Sequence, residues 1–457
     1  MPDSPRTVEQ ADAVVVGARC AGSAAAATLA RAGHRVVALD SARFPSDTLS
    51  THLLWPAGVA ELSRLGALDA VTELGAPPLT HALAAGAGLT ITTPFPEVDG
   101  IDYTLCVRRT GLDHALVRTA RGAGAEVREQ CRVTELVWDG DRCTGVRYRD
   151  AEGGTAEIRA ALVVGADGRR STVAQLAGAD TPYESEPSGR DCYFAYWRDD
   201  SPDRRSTAAQ WRQGPDLGTA FPCDDGLLLC LVQPPALSGA LRPGEAERRY
   251  AAAIDRIPAL RARLRGCEQA TRVRSATGIV SYFRRSSGPG WALPGDAGHF
   301  KDPVTAQGIR DALHYGRRLA ESVSPVLHDP AALDRALTAW DRQRVLECRE
   351  IYHWTNRLAR GTAMSPLEVE LYRAATADPD LAAITTGIFS RTRRPAELYS
   401  PARMARLTAG ALWHHRGDPR PVLRDIAHEI ATTAGELHTS CTALRGTPFA
   451  VPPSTTA

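Results

Sequence analysis

Apolar and polar positions near the N-terminus follow the pattern of an alternating strand and helix unit. Residues 13–16 read AVVV, which is typical of a buried parallel strand, and residues 34–40, HRVVALD, predict a second strand. Between them AGSAAAATLARAG, which ends at Gly33, predicts a helix of small side chains that can lie close to a sheet. The pattern therefore predicts a strand, a turn, a helix and a strand in succession.

Later segments change from this pattern to antiparallel strands and then to helices. From residue 133, VTELVWDGDRCTGVRYRDAEGGTAEIRAALVVGADG predicts a three-stranded meander with turns at DGD and AEGG, whose last strand is buried. Between 181 and 274, CYFAYW, STAAQW, TAF and GLLLCLV predict an antiparallel sheet, followed by one helical stretch, GEAERRYAAAIDRIPALRARL. Residues 331–457 have the apolar spacing of helices.

Length and charge limit the class of partner. A chain of 457 residues is too long for one hydrophobic core, so we expect two or three substructures. The 54 basic and 53 acidic residues are interspersed and give a net charge of +1, so neither a nucleic acid nor an anionic membrane is the expected partner. We therefore expect a small-molecule substrate and a monomer or homodimer.

Cysteines, histidines and the N-terminal segment indicate the compartment. The ten cysteines form no C-x-x-C pair and the histidines show no metal-ligand spacing, so no metal site is expected. The N-terminal MPDSPRTVEQAD has no basic region followed by an apolar core, and no apolar run approaches the length of a membrane span. These features predict a soluble, cytoplasmic protein with free thiols.

The first turn, GARCAGS, departs from the dinucleotide-binding pattern G-x-G-x-x-G at one position. Gly17 would make the tight turn, Gly22 the close contact between helix and strand, and Asp40 would accept the ribose hydroxyls. Arg19 replaces the central glycine, which is tolerable if its Cβ points away from the ligand. Because Asp40 would repel a 2′-phosphate, FAD or NAD is favoured over NADP, although a purely structural turn remains open.

Two further motifs follow at a distance. A buried strand ends in GADGRRS, which contains Asp167 and Gly168, and a second strand ends in GDAGHFKDP, which contains Gly295 and Asp296. A helix is predicted to begin near Thr305, with apolar residues on one face. An NAD-only nucleotide-binding domain explains the first motif and leaves these two unexplained.

Together with LCVRRTGLDHAL, these segments resemble the glutathione-reductase-type FAD fold, and more narrowly the flavoprotein monooxygenases like p-hydroxybenzoate hydroxylase, in a bacterial branch related to geranylgeranyl-reductase-like oxidoreductases. The resemblance extends from residue 11 to about 325. It implies a mixed α/β fold with a discontinuous FAD-binding Rossmann domain, an inserted antiparallel substrate domain and a C-terminal helical region. The implied bounds are 8–180 with 275–330, then 181–274 with a contribution from 78–104, and then 331–457.

The resemblance also assigns cofactor contacts. Asp296 would bind the ribityl chain, Gly308 and Ile309 would offer backbone donors to the flavin O2 edge, and Val133 would hold the adenine through its backbone. Arg109 would contact the phosphate or ribityl region, although it could instead start a solvated helix with Arg108. The full predicted FAD set is Gly17, Arg19, Cys20, Ala21, Gly22, Asp40, Arg43, Arg109, Val133, Asp167, Gly168, Gly295, Asp296, Pro303, Gly308 and Ile309.

The implied reaction is monooxygenation, in keeping with a role in secondary metabolism. In the resembled enzymes NAD(P)H reduces the flavin, O2 adds at C4a, and the hydroperoxide transfers one oxygen atom to an aromatic, polyketide-like or other electron-rich substrate. Pro303 would lie beside the ring, and His52, His299 and Lys301 are candidates for proton delivery or substrate orientation, although a loop histidine is often purely structural.

Three other functions remain as alternatives. A flavin-dependent reductase of the geranylgeranyl reductase type shares the implied fold, and a flavoprotein without turnover would share the cofactor site. A flavin-dependent halogenase is disfavoured because its W-x-W-x-I-P signature is absent from the sequence.

Overall fold

The structure is a computed structural model that describes residues 8–445, with side chains described as far as Glu436. Residues 446–457 of the predicted C-terminal helical region lie outside the described residues. The strands, numbered in chain order, are β1 (Val8–Val16), β2 (Val36–Leu39), β3 (Leu53–Leu54), β4 (His81–Gly86), β5 (Leu89–Pro94), β6 (Leu105–Cys106), β7 (Glu126–Arg128), β8 (Arg132–Asp139), β9 (Arg142–Arg149), β10 (Thr155–Gly165), β11 (Glu184–Pro187), β12 (Cys192–Arg198), β13 (Thr207–Gln213), β14 (Asp216–Pro222), β15 (Leu227–Gln233), β16 (Glu268–Gln269), β17 (Arg274–Ala276), β18 (Val280–Phe283), β19 (Ser287–Gly288), β20 (Trp291–Ala292) and β21 (His299–Phe300).

The α-helices are α1 (Cys20–Arg31), α2 (Pro56–Arg64), α3 (Leu68–Thr72), α4 (Arg109–Gly122), α5 (Thr172–Leu176), α6 (Glu245–Arg256), α7 (Pro258–Arg263), α8 (Gly308–Val323), α9 (Pro330–Leu358), α10 (Pro366–Ala377), α11 (Pro379–Phe389), α12 (Pro401–His414) and α13 (Arg420–Arg445). Short 3-10 turns cover Pro202–Arg204, Gly295–Ala297, Pro303–Thr305, Ser324–Val326 and Pro395–Glu397. No helix among the described residues is both long enough and apolar enough to cross a bilayer.

A parallel sheet forms the centre of the first substructure. Its strands lie in the order β20, β10, β1, β2 and β7, and each neighbouring pair is parallel. Val14 pairs with Val163 on one side and with Val37 on the other, and all three are fully buried or nearly so. Both faces are therefore covered, which explains why these strands read as continuous apolar runs.

The predicted meander is present and is joined directly to this sheet. Strand β8 pairs with β9, and β9 pairs with the first half of β10, all antiparallel. Residues 157–165 of β10 run parallel to β1, so one long strand belongs to both arrangements. The carboxyl end of β10 consequently lies next to the carboxyl end of β1, where ligands bind in open α/β sheets.

A second sheet covers one side of the molecule. Its strand order is β16, β12, β15, β14, β13, β4 and β5, with β17 also paired to β12. Strands β4 and β5 come from the predicted contributing segment 78–104, and β13 and β4 are parallel whereas the other pairs are antiparallel. One face of this sheet packs against α6 and α7, and the opposite face meets β3, β6 and the loop before α8.

The single helical stretch predicted from GEAERRYAAAIDRIPALRARL is wrong, because the structure divides it into α6 and α7. Ile257 between them has φ −112° and ψ 86°, which is outside the helical region. Proline disfavours helical geometry in the residue that precedes it and cannot donate a backbone hydrogen bond, so Pro258 ends one helix and begins the next.

Candidate functional site

Two glycines shape the turn between β1 and α1. Gly17 has φ +92°, and a Cβ added there would lie 2.5 Å from the Ala166 carbonyl oxygen. A Cβ added at Gly22 would lie only 1.7 Å from the Gly17 carbonyl oxygen. Side chains are therefore excluded at both positions, and the turn passes directly against the end of β10.

Arg19 occupies the turn without filling it, because its side chain points away toward α4 and the segment after β2. Its guanidinium pairs with the buried Asp113, donates to Ser46 Oγ at 2.8 Å, and lies 5.4 Å from the centre of the Phe44 ring. No side chain of the described residues caps α1. The first backbone N–H groups of α1, at Cys20, Ala21 and Gly22, remain available to an anionic group.

Asp113 also accepts hydrogen bonds from Arg109, at 2.8 Å from Nη2, so one carboxylate holds two arginines. Arg109 is largely buried and starts α4, which rules out the alternative of a solvated helix start. Cys20 Sγ lies 3.5 Å from Asp113, and burial raises the pKa of this thiol to about 12. The neutral Cys20 thiol is therefore a packing group at neutral pH. Asp113 is not among the residues predicted from the sequence, although its position four residues after Arg109 indicates that the two side chains share a helix face.

The predicted adenosine contacts are grouped around Asp40, at the end of β2. Its two carboxylate oxygens accept hydrogen bonds from the Ala18 and Ala42 backbone N–H groups, at 2.7 and 2.8 Å. Its carbonyl oxygen accepts from Cys131 N at 2.8 Å, which brings the start of β8 and the buried Val133 nearby. Each carboxylate oxygen keeps a lone pair for a hydroxyl donor. Arg43, three residues further on, is exposed.

Asp167 and Gly168 follow β10 next to the first turn. A Cβ at Gly17 would lie 3.0 Å from the Asp167 Cα. The Asp167 carboxylate accepts from Ser171 Oγ at 2.5 Å and from Thr172 N at 2.7 Å, so it fixes the loop that begins α5. Gly168 has φ +79° and a Cβ there would meet no heavy atom of the described chain within 4 Å. The two residues thus present an open backbone edge beside Gly17.

Asp296 stands out because its carboxylate has no hydrogen-bond donor among the described side chains. Burial raises the pKa of this carboxyl to about 6, and only its backbone carbonyl is engaged, accepting from Tyr282 Oη at 2.6 Å. The preceding Gly295 has φ +65°, and a Cβ there would lie 3.0 Å from the Ala21 Cβ. An unpaired, half-buried acceptor beside the start of α1 fits the hydroxyl groups of a ribityl chain.

Helix α8 begins at Gly308, so the predicted start near Thr305 is wrong. Asp302 Oδ1 accepts from Val304 N at 2.8 Å and starts a separate 3-10 turn at Pro303. Ala306 then adopts φ +51°, which is left-handed and interrupts helical geometry. Helix formation therefore resumes only after this kink.

The N-terminus of α8 is open. Gln307 makes no side-chain cap within the described chain, and a Cβ at Gly308 would meet none of its heavy atoms within 4 Å. The backbone N–H groups of Gly308 and Ile309 can therefore point at an electronegative ligand edge. Helix α8 also packs tightly on α1, because a Cβ at Gly316 would lie 2.4 Å from the Ala21 carbonyl oxygen. The start of α1 thus lies against the middle of α8, and Gly295 lies beside both helices, because a Cβ there would be 3.0 Å from the Ala21 Cβ and 3.6 Å from the Ala312 Cβ.

His52 directly precedes β3, contacts β12 of the second sheet and is fully buried. Its Nε2 is 2.8 Å from the Tyr196 hydroxyl, its ring meets Phe194 edge-on at 5.4 Å, and its φ is +62°. Burial, followed by the charge of Arg109, lowers the pKa of His52 to about 3. The imidazole is therefore neutral at neutral pH, and its Nε2 shares one hydrogen bond with the Tyr196 hydroxyl.

His299 and Lys301 turn away from His52 and toward α9. His299 stacks on Phe283 with ring centres 4.0 Å apart, its Nδ1 donates to the Tyr282 carbonyl at 3.1 Å, and burial lowers its pKa. Lys301 forms a buried ion pair with Asp311 of α8. Pro303 is half-buried at the start of the 3-10 turn. The four predicted catalytic residues therefore fall into two separate groups.

The structure brings together two sets of potential metal ligands that sequence spacing did not reveal. One donor atom from each of Asp12, His34 and His328 lies within 4.8 Å of the others, and a buried set consists of His299, Asp311 and Cys348. In the buried set the Lys301 ammonium and the nearby Arg391 guanidinium oppose a metal cation electrostatically. The members come from different elements, which explains why no local motif indicated them.

The free helix N-termini of α1 and α8 and the unpaired Asp296 carboxylate are the groups that an extended dinucleotide such as FAD would use, and they point to the class of FAD-binding flavoproteins. Residues 10–345 match the family model described as "FAD binding domain", so the chain belongs to that family of flavoprotein oxidoreductases. The predicted resemblance and the predicted α/β fold class are confirmed. The individual contact residues stay predictions.

Relatives within this family differ in activity. A menaquinone reductase from Mycolicibacterium smegmatis is 32% identical over 327 residues, which cover 68% of this chain and 76% of that protein. A rifampicin monooxygenase from Streptomyces venezuelae is 29% identical over 329 residues, which cover 68% of this chain and 64% of that protein. A solved flavin-dependent brominase has a TM-score of 0.72 at 19% identity, covers 90% of this chain and all of its own, and shows the fold alone.

Proposed function

We propose that this chain is an FAD-dependent monooxygenase that uses NAD(P)H and O2 to insert one oxygen atom into an aromatic or other electron-rich small molecule, polyketide-like substrates included. The observation that carries the proposal is the buried seam between the second sheet and the loop before α8. Phe194, Tyr196 and Phe221 of the sheet belong to the same buried cluster as Ala306 in that loop. An aromatic, water-excluding wall over a flavin suits a planar substrate and oxygen transfer.

Bound FAD would supply the redox chemistry, by accepting a hydride and activating oxygen. The chain's own residues bind and orient it. Gly308 and Ile309 N–H groups would stabilise negative charge at one ring edge, and the Asp296 carboxylate would accept from the ribityl hydroxyls. Trp55 Nε1 donates to the Thr305 carbonyl at 2.9 Å and so holds the turn that would carry Pro303 beside the ring.

We assign substrate orientation to the pair of His52 and Tyr196. In the tautomer that we assign, neutral His52 accepts a hydrogen bond from the Tyr196 hydroxyl, so the phenol oxygen keeps its lone pairs free to accept a substrate hydroxyl. We give His299 and Lys301 a supporting role instead, because the first stacks on Phe283 and the second is neutralised by Asp311. Both side chains would then hold the loop that begins at Asp296.

The test is oxygen labelling with the FAD-loaded protein. A panel of phenols, fused aromatic polyketides and quinols is incubated with NADH or NADPH under 18O2, and products are analysed by mass spectrometry. The expected product contains one labelled oxygen atom and appears with substrate-dependent NAD(P)H oxidation. Tyr196→Phe should lower kcat about tenfold or more, because it removes the orienting hydroxyl. The control His81→Gln changes an exposed histidine bonded only to Thr80.

A reductase is the second candidate, and the 32% identity to a menaquinone reductase favours it. It predicts turnover without oxygen, in which NAD(P)H-reduced protein reduces a quinone or an isoprenoid double bond under argon. Anaerobic product formation, with no label from 18O2 in air, would replace the monooxygenase proposal. The third candidate, a flavoprotein without turnover, predicts bound FAD and no substrate-dependent NAD(P)H oxidation across the whole panel.

A further inference from the structure

Two cysteine thiols meet in the seam, at the place where β6 contacts the second sheet. Cys106 ends β6, Cys223 directly follows β14, and their Sγ atoms are 3.0 Å apart. Both side chains are completely buried. Among the cysteines that the structure describes, no other two sulfurs are in such contact, and Cys230, for example, neighbours the Tyr250 hydroxyl instead. This pair is therefore a feature of the seam and is not part of the FAD contacts.

The backbones that carry the two thiols are held in place by their neighbours. Arg108, two residues after Cys106, donates from its backbone N to Asp224 Oδ1 at 3.0 Å and from Nε to Oδ2 at 2.7 Å. Asp224 is the residue after Cys223. The ion pair of Arg108 and Asp224 therefore clamps the two chain segments together beside the thiol contact. Because the clamp already restricts both segments, little further ordering is needed for the sulfurs to react with each other.

We propose that Cys106 and Cys223 are a disulfide-forming site that takes hydrogen peroxide, or another peroxide, as its two-electron oxidant. A disulfide bond needs the sulfurs to approach by about 1 Å from their contact distance, to roughly 2.05 Å. The covalent link would join β6, on the side of the FAD-binding sheet, to the β14–β15 turn of the sheet that covers it. It would close the seam next to His52, whose carbonyl accepts from Val107 N at 3.2 Å.

The oxidation requires only the two thiols of the chain and one molecule of peroxide. One thiol attacks the peroxide O–O bond, forms a sulfenic acid and releases one water molecule. The second sulfur then attacks the sulfenic sulfur, the S–S bond forms, and a second water molecule leaves. Two thiols thereby lose two electrons and two protons, and the peroxide is reduced to two water molecules. A small dithiol reverses the reaction by exchange.

Burial sets the speed of this reaction. It raises the pKa of the Cys106 thiol well above its usual range, so the reactive thiolate is scarce at neutral pH. The pair should therefore withstand trace peroxide and respond to sustained exposure. A flavoprotein that leaks peroxide from unproductive oxygen reduction would provide such exposure, but any source of peroxide meets the requirement, so the site does not depend on the proposed reaction.

The experiment is a peptide map of the folded, FAD-loaded protein. The protein is treated with millimolar hydrogen peroxide, its remaining thiols are alkylated, and it is digested with trypsin without reduction. Because Lys301 is the only lysine and Arg242 precedes a proline, Cys106 falls in peptide 65–108 and Cys223 in peptide 213–248. The expected result is a cross-linked mass of these two peptides that disappears with dithiothreitol, together with a higher melting temperature than that of the reduced protein.

Peptide 213–248 also contains Cys230, which provides the matched control. Cys230→Ser should keep the cross-link, whereas Cys223→Ser and Cys106→Ser should abolish it. If a serine variant fails to fold, fragmentation of the cross-linked peptides from the unmodified sequence still shows whether Cys223 or Cys230 carries the bond. Exhaustive peroxide treatment that leaves peptides 65–108 and 213–248 separate, or that oxidises these cysteines singly, would overturn the proposal whether or not the protein is a monooxygenase.

Discussion

His52 Nε2 lies 2.8 Å from the Tyr196 hydroxyl, and this hydrogen bond joins the loop before β3 to the central part of β12. It is formed inside an aromatic surrounding, with the imidazole edge-on to both Phe194 and Tyr196. A neutral imidazole is thus held where the segment before β3 contacts the second sheet. Its protonation state bears on the stability of that contact and on any chemistry there.

The first prediction concerns acid stability. Unfolded histidine titrates near 6.5, whereas burial lowers the pKa of His52 to about 3 in the folded chain. Between these values the unfolded chain binds a proton that the folded chain does not. The contribution of His52 to stability is therefore complete above about pH 6.5 and is lost as the pH falls toward 3, by up to about 1.4 kcal/mol per pH unit. Urea unfolding from pH 7 to 4 measures this slope.

His52→Asn is the matched variant, because asparagine tolerates the positive φ of this position. It should flatten the slope below pH 6.5 while other groups continue to contribute. His81→Gln, which changes an exposed histidine, should keep the original slope. Equal slopes for the unmodified protein and His52→Asn would show that His52 does not remain neutral in the folded chain.

The second prediction uses the glycine turn. A Cβ at Gly22 would lie 1.7 Å from the Gly17 carbonyl oxygen, and both are backbone positions that cannot rotate away. Gly22→Ala should therefore destabilise the protein by about 3 kcal/mol and abolish FAD retention. Gly122→Ala, at the end of α4 where a Cβ meets no described heavy atom within 4 Å, should be neutral or stabilising by about 0.5 kcal/mol. Thermal unfolding and the flavin absorbance of purified protein check both.

Much of the first substructure could be predicted from the sequence, because the patterns that specify its elements are local. Apolar runs specify β1 and β2, and the spacing of Gly17 and Gly22 specifies the turn between strand and helix. The meander was predictable for the same reason, since turn residues separate strands that pair with their neighbours in the chain. These elements depend on residues a few positions apart, which one sequence is sufficient to show.

Contacts between residues that are far apart in the sequence could not be predicted from such local patterns. Arg19 is compatible with the turn because Asp113, 94 positions later, draws its guanidinium aside. The start of α8 depends on Asp302 capping Val304 and on the left-handed Ala306, and neither conformation follows from helical periodicity. The separation of His52 from His299 and Lys301 similarly depends on how the second sheet and α9 pack, which no local pattern encodes.

The third prediction tests the role of Asp296. Its half-buried carboxylate has no donor among the described side chains, so a ribityl hydroxyl would be its first hydrogen-bond partner. Asp296→Ala should weaken FAD binding about 10-fold to 100-fold, the range for a hydrogen bond to a charged acceptor. Because burial raises the pKa of this carboxyl to about 6, affinity of the unmodified protein should fall as the pH drops below 6. Fluorescence titration of the apoprotein measures both effects.

Asp141→Ala provides the control, since Asp141 is an exposed aspartate in the turn between β8 and β9. It should leave FAD affinity unchanged. Asp296→Asn keeps one oxygen acceptor and cannot titrate, so it should retain intermediate affinity with no fall below pH 6. Unaltered affinity in Asp296→Ala would remove Asp296 from the FAD site.

The fourth prediction concerns Lys301, whose ammonium group pairs with Asp311 in a site where both side chains are at least nine-tenths buried. Lys301→Met should destabilise the protein by about 3 kcal/mol, because it leaves a buried carboxylate that has lost its closest cation. Arg310 Nη1, at 3.0 Å from the other Asp311 oxygen, limits the loss. Urea unfolding at pH 7 gives the free energy.

The double variant Lys301→Met, Asp311→Leu shows whether Lys301 stabilises the protein through its charge or through the packing of its aliphatic chain. If the single loss arises from the uncompensated Asp311 charge, removing that charge should restore at least half of the lost stability, since buried pairs are often replaceable by apolar residues. If Lys301 acts only through its aliphatic chain, which methionine largely preserves, the single variant should be near neutral and Asp311→Leu should add its own cost. Additive effects of the two substitutions would therefore contradict a buried ion pair that fixes the loop between Asp296 and α8.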